Sequence, residues 1–489
     1  MFLCTRRLAT SAKPILQDIV VVGGGPAGLS IVAALKNSPR TKHLTCTLVE
    51  ASSLAPARSF AEQAPPELTN RVVSLTPHSV DFMRTRTCAW PLVHEDRVRF
   101  YDNMVAYDSQ DSDARIHFDA SNVFDASGAP GEIAAMAEVA NIQASLLAQV
   151  EKTDATVLDN SKVVAIENEA EKVQAADEAA KTEETAKAEA ASAEAADWPV
   201  VTLSGGQQLR ARLLVGADGQ RSPVRQYAGI EARGWAYDRF GVVGTLRLQY
   251  EDFRSIAWQR FLTTGPLAIL PMPGDSATFV WSSTPELADV LLKTDDSLFP
   301  QLINAAMVLD ETDLQYIYGM LQANPADPNV AEEIEWRMSK FSPDELDDKF
   351  PVPVAEVLAG SRARFPLRFS QADTYAAPRV ALVGDAAHTV HPLAGQGLNM
   401  GQTDVEALVA AIEQGVARGM DIGSMLVLEQ YVARAWPSNH MLMGVCDKLH
   451  KLFSTDFGPI VALRGIGLKS LNSLDGVKDL MIRAISGRA

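Results

Sequence analysis

The chain has 489 residues, 47% of them hydrophobic, and a formal net charge of −17. That length and apolar content support a core of more than one domain and exclude a disordered polypeptide, while the acidic balance gives nucleic-acid binding no support. Four cysteines without C-x-x-C spacing (Cys4, Cys46, Cys88, Cys446), and eight histidines that do not cluster with them, indicate neither a disulfide framework nor a metal site.

Residues 1–17 carry Arg6, Arg7 and Lys13, several hydroxyl side chains and no acid before Asp18, the composition of a mitochondrial targeting segment. Asp18-Ile19-Val20-Val21-Val22 then reads as a buried parallel strand. It runs into Gly23-Gly24-Gly25-Pro26-Ala27-Gly28, and Leu29 to Leu35 continues as a helix. In this strand–turn–helix setting Gly23 permits the tight turn, Gly25 lets backbone approach a pyrophosphate, and Gly28 lets the helix pack close on the strand. A second strand, Leu44 to Val49, ends in Glu50, 22 residues beyond Gly28 and suited to accept ribose hydroxyls.

Lys162 to Ile166 and Pro199 to Leu203 read as two strands of a hairpin. Between them, residues 167–197 hold ten acids against three lysines, a solvated low-complexity insertion. Leu213-Leu214-Val215 is a further buried strand that leads into Gly216-Ala217-Asp218-Gly219, with Ser222 as a helix cap and Pro223 at the first helical position. Asp218 thus falls at the carboxyl edge of a sheet. Pro378 to Val383 is a strand running into Gly384-Asp385-Ala386-Ala387-His388. After Pro392 comes the turn Gly395-Gln396-Gly397-Leu398-Asn399, then a helix with Val405, Leu408, Val409 and Ile412 on one face. Asp385 can hold ribityl hydroxyls, and the turn points backbone N–H groups and a helix dipole at an electron-rich ring edge. His388 and His391 show no partner in the sequence and read as loop-shaping residues rather than an acid–base pair. Three such segments in this order describe one large dinucleotide, FAD.

Together these segments resemble the aromatic-ring flavoprotein monooxygenases, which share the para-hydroxybenzoate hydroxylase fold. Asn70 to Ser79, with Arg71, resembles the family's arginine-bearing segment, and Asn141 to Leu147, with Gln143, its flavin-contacting helix. Gly234-Trp235-Ala236-Tyr237, Phe261 to Pro271 and Leu463-Arg464-Gly465-Ile466-Gly467-Leu468 are similar to the ubiquinone-biosynthesis branch, especially its mitochondrial ring hydroxylases.

The resemblance implies an α/β architecture: a discontinuous Rossmann-like FAD-binding domain (18–80, 130–166, 198–232, 372–440) interleaved with a mostly antiparallel-sheet substrate domain (81–129, 233–371), and a C-terminal helical segment (441–489). It places Gly23, Gly25, Gly28 and Glu50 around the adenosine half. Arg71, Gln143, Asp218, Gly384, Asp385 and Gly395, Gln396, Gly397, Leu398 and Asn399 surround pyrophosphate, ribityl chain and ring. It implies hydroxylation of a polyprenylated hydroxybenzoate-type ring at carbon 5, with O₂ and a flavin hydroperoxide, at the matrix face of the mitochondrial inner membrane, alongside other ubiquinone-biosynthesis proteins. No catalytic side chain is named; Tyr237 either faces the ring or packs in the core. Electrons would come from a ferredoxin and its reductase, for which Arg362, Arg364, Arg368 and Arg379 are candidate contacts, or from NADPH. Phe453, Phe457, Ile460, Val461, Leu463, Ile466, Leu468 and Leu471 supply apolar faces for peripheral membrane contact. Competing readings are a soluble, NADPH-dependent phenol or salicylate-type hydroxylase and a flavin-containing scaffold subunit.

Overall fold

The β-branched run that precedes the first glycines forms the centre of a parallel sheet. The computed structural model describes residues 13–121, 123, 131–168, 198–390, 395–455 and 457–485. Strand Ile15–Val22 pairs in parallel with Gln208–Gly216 on one side and Cys46–Val49 on the other; Val380–Leu382 and Thr156–Leu158 extend the sheet outward. Register aligns Val22 with both Val49 and Gly216, and Gly216 with Leu382. The residues that follow these strands, Gly23, Glu50, Ala217 and Val383, therefore emerge at one edge, where ligands of open α/β sheets bind.

The first strand begins at Ile15, which pairs with Leu209, so residues 15–17 belong to the sheet rather than to the expected leader. Residues 1–12 of that leader lie outside the described residues. Strands Val163–Asn168 and Pro199–Leu203 pair antiparallel; Glu167, the first acid of the acidic tract, still pairs with Val200, and 169–197 lie outside the described residues.

A nine-stranded sheet, antiparallel except where Ile256–Leu262 meets Asn103–Asp108, forms the second layer. Its longest strand, Ala232–Leu248, pairs with Ser276–Ser283 and Ala363–Ala372. Between the last two, within the expected antiparallel-sheet domain, lie five helices: Pro285–Lys293, Phe299–Val308, Glu311–Ala323, Asn329–Met338 and Pro343–Lys349. They bury Leu291, Phe299, Ile303, Leu314 and Ile317 against Phe279 and Trp281 of the sheet. The signal was present: Thr284 and Ser342 cap helices whose next residue is proline, and both side chains accept the expected N–H.

The expected boundary at residue 441 falls inside one helix, Met425–Phe453, which continues through Pro437. Helices Gly458–Asn472 and Asp475–Ile485 follow and lie across the edge strand Arg115–Asp119.

Candidate cofactor site

At the carboxyl edge of the parallel sheet the backbone is too crowded for side chains at two glycines. Gly23 has φ +114°, and a Cβ there would stand 2.1 Å from Ala217 O; at Gly28 it would stand 2.0 Å from Gly23 O. Gly25 differs, with nothing within 4 Å of the position its Cβ would take. Leu29 N–H is the first to close the helix, donating to Gly25 O at 3.0 Å, so the Ala27 and Gly28 N–H groups point out of the helix start unpaired within it. Gly24 N–H donates to Glu50 Oε2 at 2.6 Å and Ser52 N–H to Oε1 at 2.7 Å. Gln143, on helix Val139–Val150, donates from Nε2 to Gly24 O at 2.7 Å and so braces the glycine loop.

Asp218 accepts Val224 N–H on Oδ2 at 3.2 Å, while Oδ1 is fully buried with no partner. Burial pushes this carboxyl above its ordinary value, opposed by hydrogen bonds from Ser222 and Val224. Asp385 keeps a solvent-open surface although protein surrounds it on most sides. That enclosure raises its carboxyl, opposed by the charges of His388 and then Arg71, which places the exposed Arg71 within electrostatic reach of this loop. Gly384, at φ +59°, and Gly395, at φ +62°, adopt the left-handed turns the motifs require. Residues 391–394, with His391 and Pro392, lie outside the described residues.

Helix Gly397–Ala417 starts where expected, and Met400 N–H donates to Gln396 O as its first bond. The N–H groups of Gly397, Leu398 and Asn399 are thus the uncapped positive end. The Asn399 side chain is not available to a ligand. Its Oδ1 accepts from Thr76 N–H (3.0 Å) and Ser79 Oγ (2.8 Å), and Nδ2 donates to Ser74 O (2.8 Å). It clamps the Arg71 segment to the helix, leaving only its backbone N–H for binding.

His388 has a partner after all: Nε2 lies 2.6 Å from Asp404 Oδ2, with both side chains buried. Burial opposes charging this ring, but Asp404, with Asp385 behind it, prevails and holds it above its ordinary 6.5. Tyr237 donates to Asp447 Oδ1 at 3.1 Å, and burial, reinforced by that carboxylate, pushes its pKa well up, so it stays a protonated phenol rather than a base. The four arginines expected to greet an acidic partner do not form one free patch. Arg362 pairs with Asp296, Arg364 with Asp289 and Arg379 with Asp421; Arg368 alone of the four has no ion pair among the described residues. Among the described residues no group of His, Cys, Asp or Glu is arranged to hold a metal.

These features fit a dinucleotide. An open approach at Gly25 stands beside free N–H groups at one helix start, Glu50 stands at the end of the second strand, a buried oxygen of Asp218 lacks a donor, and a second helix presents its N-terminus beside Asp385. A hydroxyl-bearing, anionic ligand satisfies all of them at once.

Residues 17–437 match the family model described as FAD binding domain. The chain is 42% identical to the mitochondrial ubiquinone biosynthesis monooxygenase COQ6 of Saccharomyces cerevisiae, over 99% of this chain and 96% of that one. It is 32% identical to the Homo sapiens protein of the same name, over 97% and 93%. Solved structures share the fold at low identity. PqsL, a probable FAD-dependent monooxygenase from Pseudomonas aeruginosa, covers 93% of this chain and 100% of its own at 18% identity and TM-score 0.60. The p-nitrophenol 4-monooxygenase PnpA from Pseudomonas putida DLL-E4 covers 98% and 100% at 15% and 0.63. The chain belongs to the FAD-dependent flavoprotein monooxygenases and, within them, to the ubiquinone biosynthesis monooxygenase family. It is an enzyme, and FAD is its cofactor.

Proposed function

We propose that this monooxygenase hydroxylates the ring of a polyprenylated hydroxybenzoate-type intermediate of ubiquinone synthesis, at ring carbon 5. The observation that carries this reading is identity of 42% along almost the whole of both chains with a relative named for that pathway. In this reading the Ala27 and Gly28 N–H groups receive the pyrophosphate and Glu50 the adenosine ribose. Asp218 Oδ1 and Asp385 accept from ribityl hydroxyls, with Arg71 supplying positive charge toward the pyrophosphate and Gln143 holding the loop. Gly395 and Gln396 turn the chain so that the N–H groups of Gly397, Leu398 and Asn399 face the electron-rich edge of the isoalloxazine. Bound FAD, once reduced, supplies the activation of O₂ for transfer of one oxygen atom to the ring. The protein's part is to orient that ring, favour its phenolate and exclude water. The dipole of helix Gly397–Ala417 favours negative charge on the reduced cofactor.

A lipid-borne substrate calls for a membrane-facing surface, and helix Gly458–Asn472 supports one. It is built inside out: Arg464 and Gly465 are its buried residues, while Leu463 is 70% and Ile466 62% exposed. Phe457 and Ile460 continue the stripe, and Leu474, just before the last helix, forms another with Val477 and Leu480 on it. Of the other expected contacts, Phe453 is buried against Phe261, and Leu468 and Leu471 pack inward. No helix among the described residues is long and apolar enough to cross a membrane. A peripheral position on the matrix face of the mitochondrial inner membrane, among other enzymes of the pathway, follows from this reading. The electron source in this reading is a ferredoxin with its reductase or NADPH, and anaerobic flavin bleaching by each separates them.

Mass spectrometry of prenylated intermediates in cells lacking the gene tests the function. Accumulation of a prenylated ring lacking a hydroxyl at carbon 5 is the expected result. Accumulation of only unprenylated precursors, or of rings already hydroxylated there, overturns it.

A further inference from the structure

The Gly384–Asp385 loop is braced from behind by a buried polar cluster whose members are distant in sequence. Asp404, on helix Gly397–Ala417, is fully buried and receives three donors. Gly384 N–H reaches Oδ2 at 3.0 Å, His388 Nε2 meets the same oxygen at 2.6 Å, and Asn439 Nδ2 donates to Oδ1 at 2.8 Å. Asn439 comes from the long helix Met425–Phe453 and is itself buried. Its Nδ2 also lies 3.4 Å from the Tyr375 hydroxyl, which receives Gln371 Nε2 at 3.2 Å; Gln371 Oε1 meets His440 Nδ1 at 2.8 Å. Two carboxamides interrupt this chain, and an amide N–H₂ donates without passing a proton on, so the cluster is a brace rather than a proton path.

Glycine has no preference between hands of φ, so the left-handed turn at Gly384 is held by its bonds: its O accepts Ala387 N–H at 2.8 Å, and its N–H has a partner on the helix behind the loop. That partner is Asp404, and Asn439 is the donor on the opposite oxygen of the same carboxylate. Without Asn439 a buried carboxylate oxygen loses its donor, and the carboxylate is free to turn away from Gly384.

We propose that Asn439 is a positioning residue for the cofactor: acting through Asp404 and Gly384, it sets the direction of Asp385. The proposal rests on the reading that Asp385 faces FAD.

Titration of the full-length apoprotein with FAD, followed by flavin fluorescence and by the shape of the visible bands, tests it. Asn439→Ala is expected to raise Kd about tenfold, equivalent to about 1.4 kcal/mol, and to alter the band shape. Asn439→Asp places a second carboxylate against Asp404. Its Kd is expected to be weakest near pH 8 and to recover toward the wild-type value near pH 5, where one proton bridges the pair. The other titratable groups around Asp404 are His388, Tyr375 and Tyr431, with Asp385 beyond His388; all are present in the wild type titrated alongside, which subtracts them. Trp436→Phe, which removes a bond to Ala372 O from the same helix, is expected to lower the melting temperature and leave Kd within about twofold. The proposal is overturned by an Asn439→Ala Kd within about twofold of wild type, by an Asn439→Asp Kd that does not vary with pH beyond the wild type, or by an equal loss in Trp436→Phe. Asp385→Ala separates the two layers. Unchanged affinity in that variant removes the reading of Asp385 itself, whereas weakened affinity there with none in Asn439→Ala removes only the role of Asn439.

Discussion

Replacing Arg464 by methionine should release helix Gly458–Asn472 from the enzyme. The guanidinium grips Asp108 with two bonds, Nε to Oδ2 at 2.5 Å and Nη2 to Oδ1 at 2.9 Å, and both side chains are almost wholly buried. Its remaining nitrogen donates to the carbonyls of Leu452 (3.0 Å), Phe453 (3.3 Å) and Thr455 (2.9 Å), closing the end of the long helix. Removing one partner of a buried ion pair costs about 3–5 kcal/mol, because the other charge stays buried and unpaired. Three carbonyls lose their donor as well. Hydrogen exchange over residues 458–472 reads this directly: 3 kcal/mol corresponds to exchange roughly 150-fold faster in that helix. Arg464→Met combined with Asp108→Leu should recover part of the loss, since no lone charge remains. Exchange in the single variant within about tenfold of wild type would refute the argument that this pair anchors the helix.

Other perturbations test the site and the surface. Gly28→Ala should yield folded but colourless protein, because its Cβ would stand 2.0 Å from Gly23 O; absorbance at the flavin bands decides it. Since Asp404 holds His388 above its ordinary 6.5, their pairing contributes stability that is complete below 6.5 and lost as pH rises through the raised value. The unfolding free energy of wild type should therefore fall as pH rises above 6.5 through the raised value, and the fall should vanish in His388→Asn. Leu463→Asp with Ile466→Asp should abolish liposome flotation at an unchanged melting temperature, as both side chains lie outside the core. Undiminished flotation would move the membrane contact elsewhere.

Much of the fold was legible because its signals are local. The β-branched run before Gly23, the proline after Ser222 and the turn before Gly397 each write their structure into neighbouring residues, and strand, cap and helix start lie where those residues put them. The helical layer 285–349 carries only two local signals, the Thr284 and Ser342 caps with their following prolines, and its place over the sheet is set by non-local packing. The C-terminal apolar residues were recognisable as a set, yet composition could not divide Phe453, stacked on Phe261 at 3.8 Å, from Leu463, which faces solvent. The pairing of three of the candidate arginines was hidden for a related reason: Asp289, Asp296 and Asp421 are remote in sequence and adjacent in space.

By itself the sequence determined that three glycine-bearing turns end three strands, because φ preference, strand periodicity and helix capping act over a few residues. Only the tertiary structure decided that Gln143 braces Gly24, that Asn399 is consumed by Ser74, Thr76 and Ser79, and that Asp404 joins Gly384, His388 and Asn439. Those contacts span from 16 to more than 300 residues of chain. A buried polar group takes whichever donor packing brings within 3 Å, and no local pattern announces it.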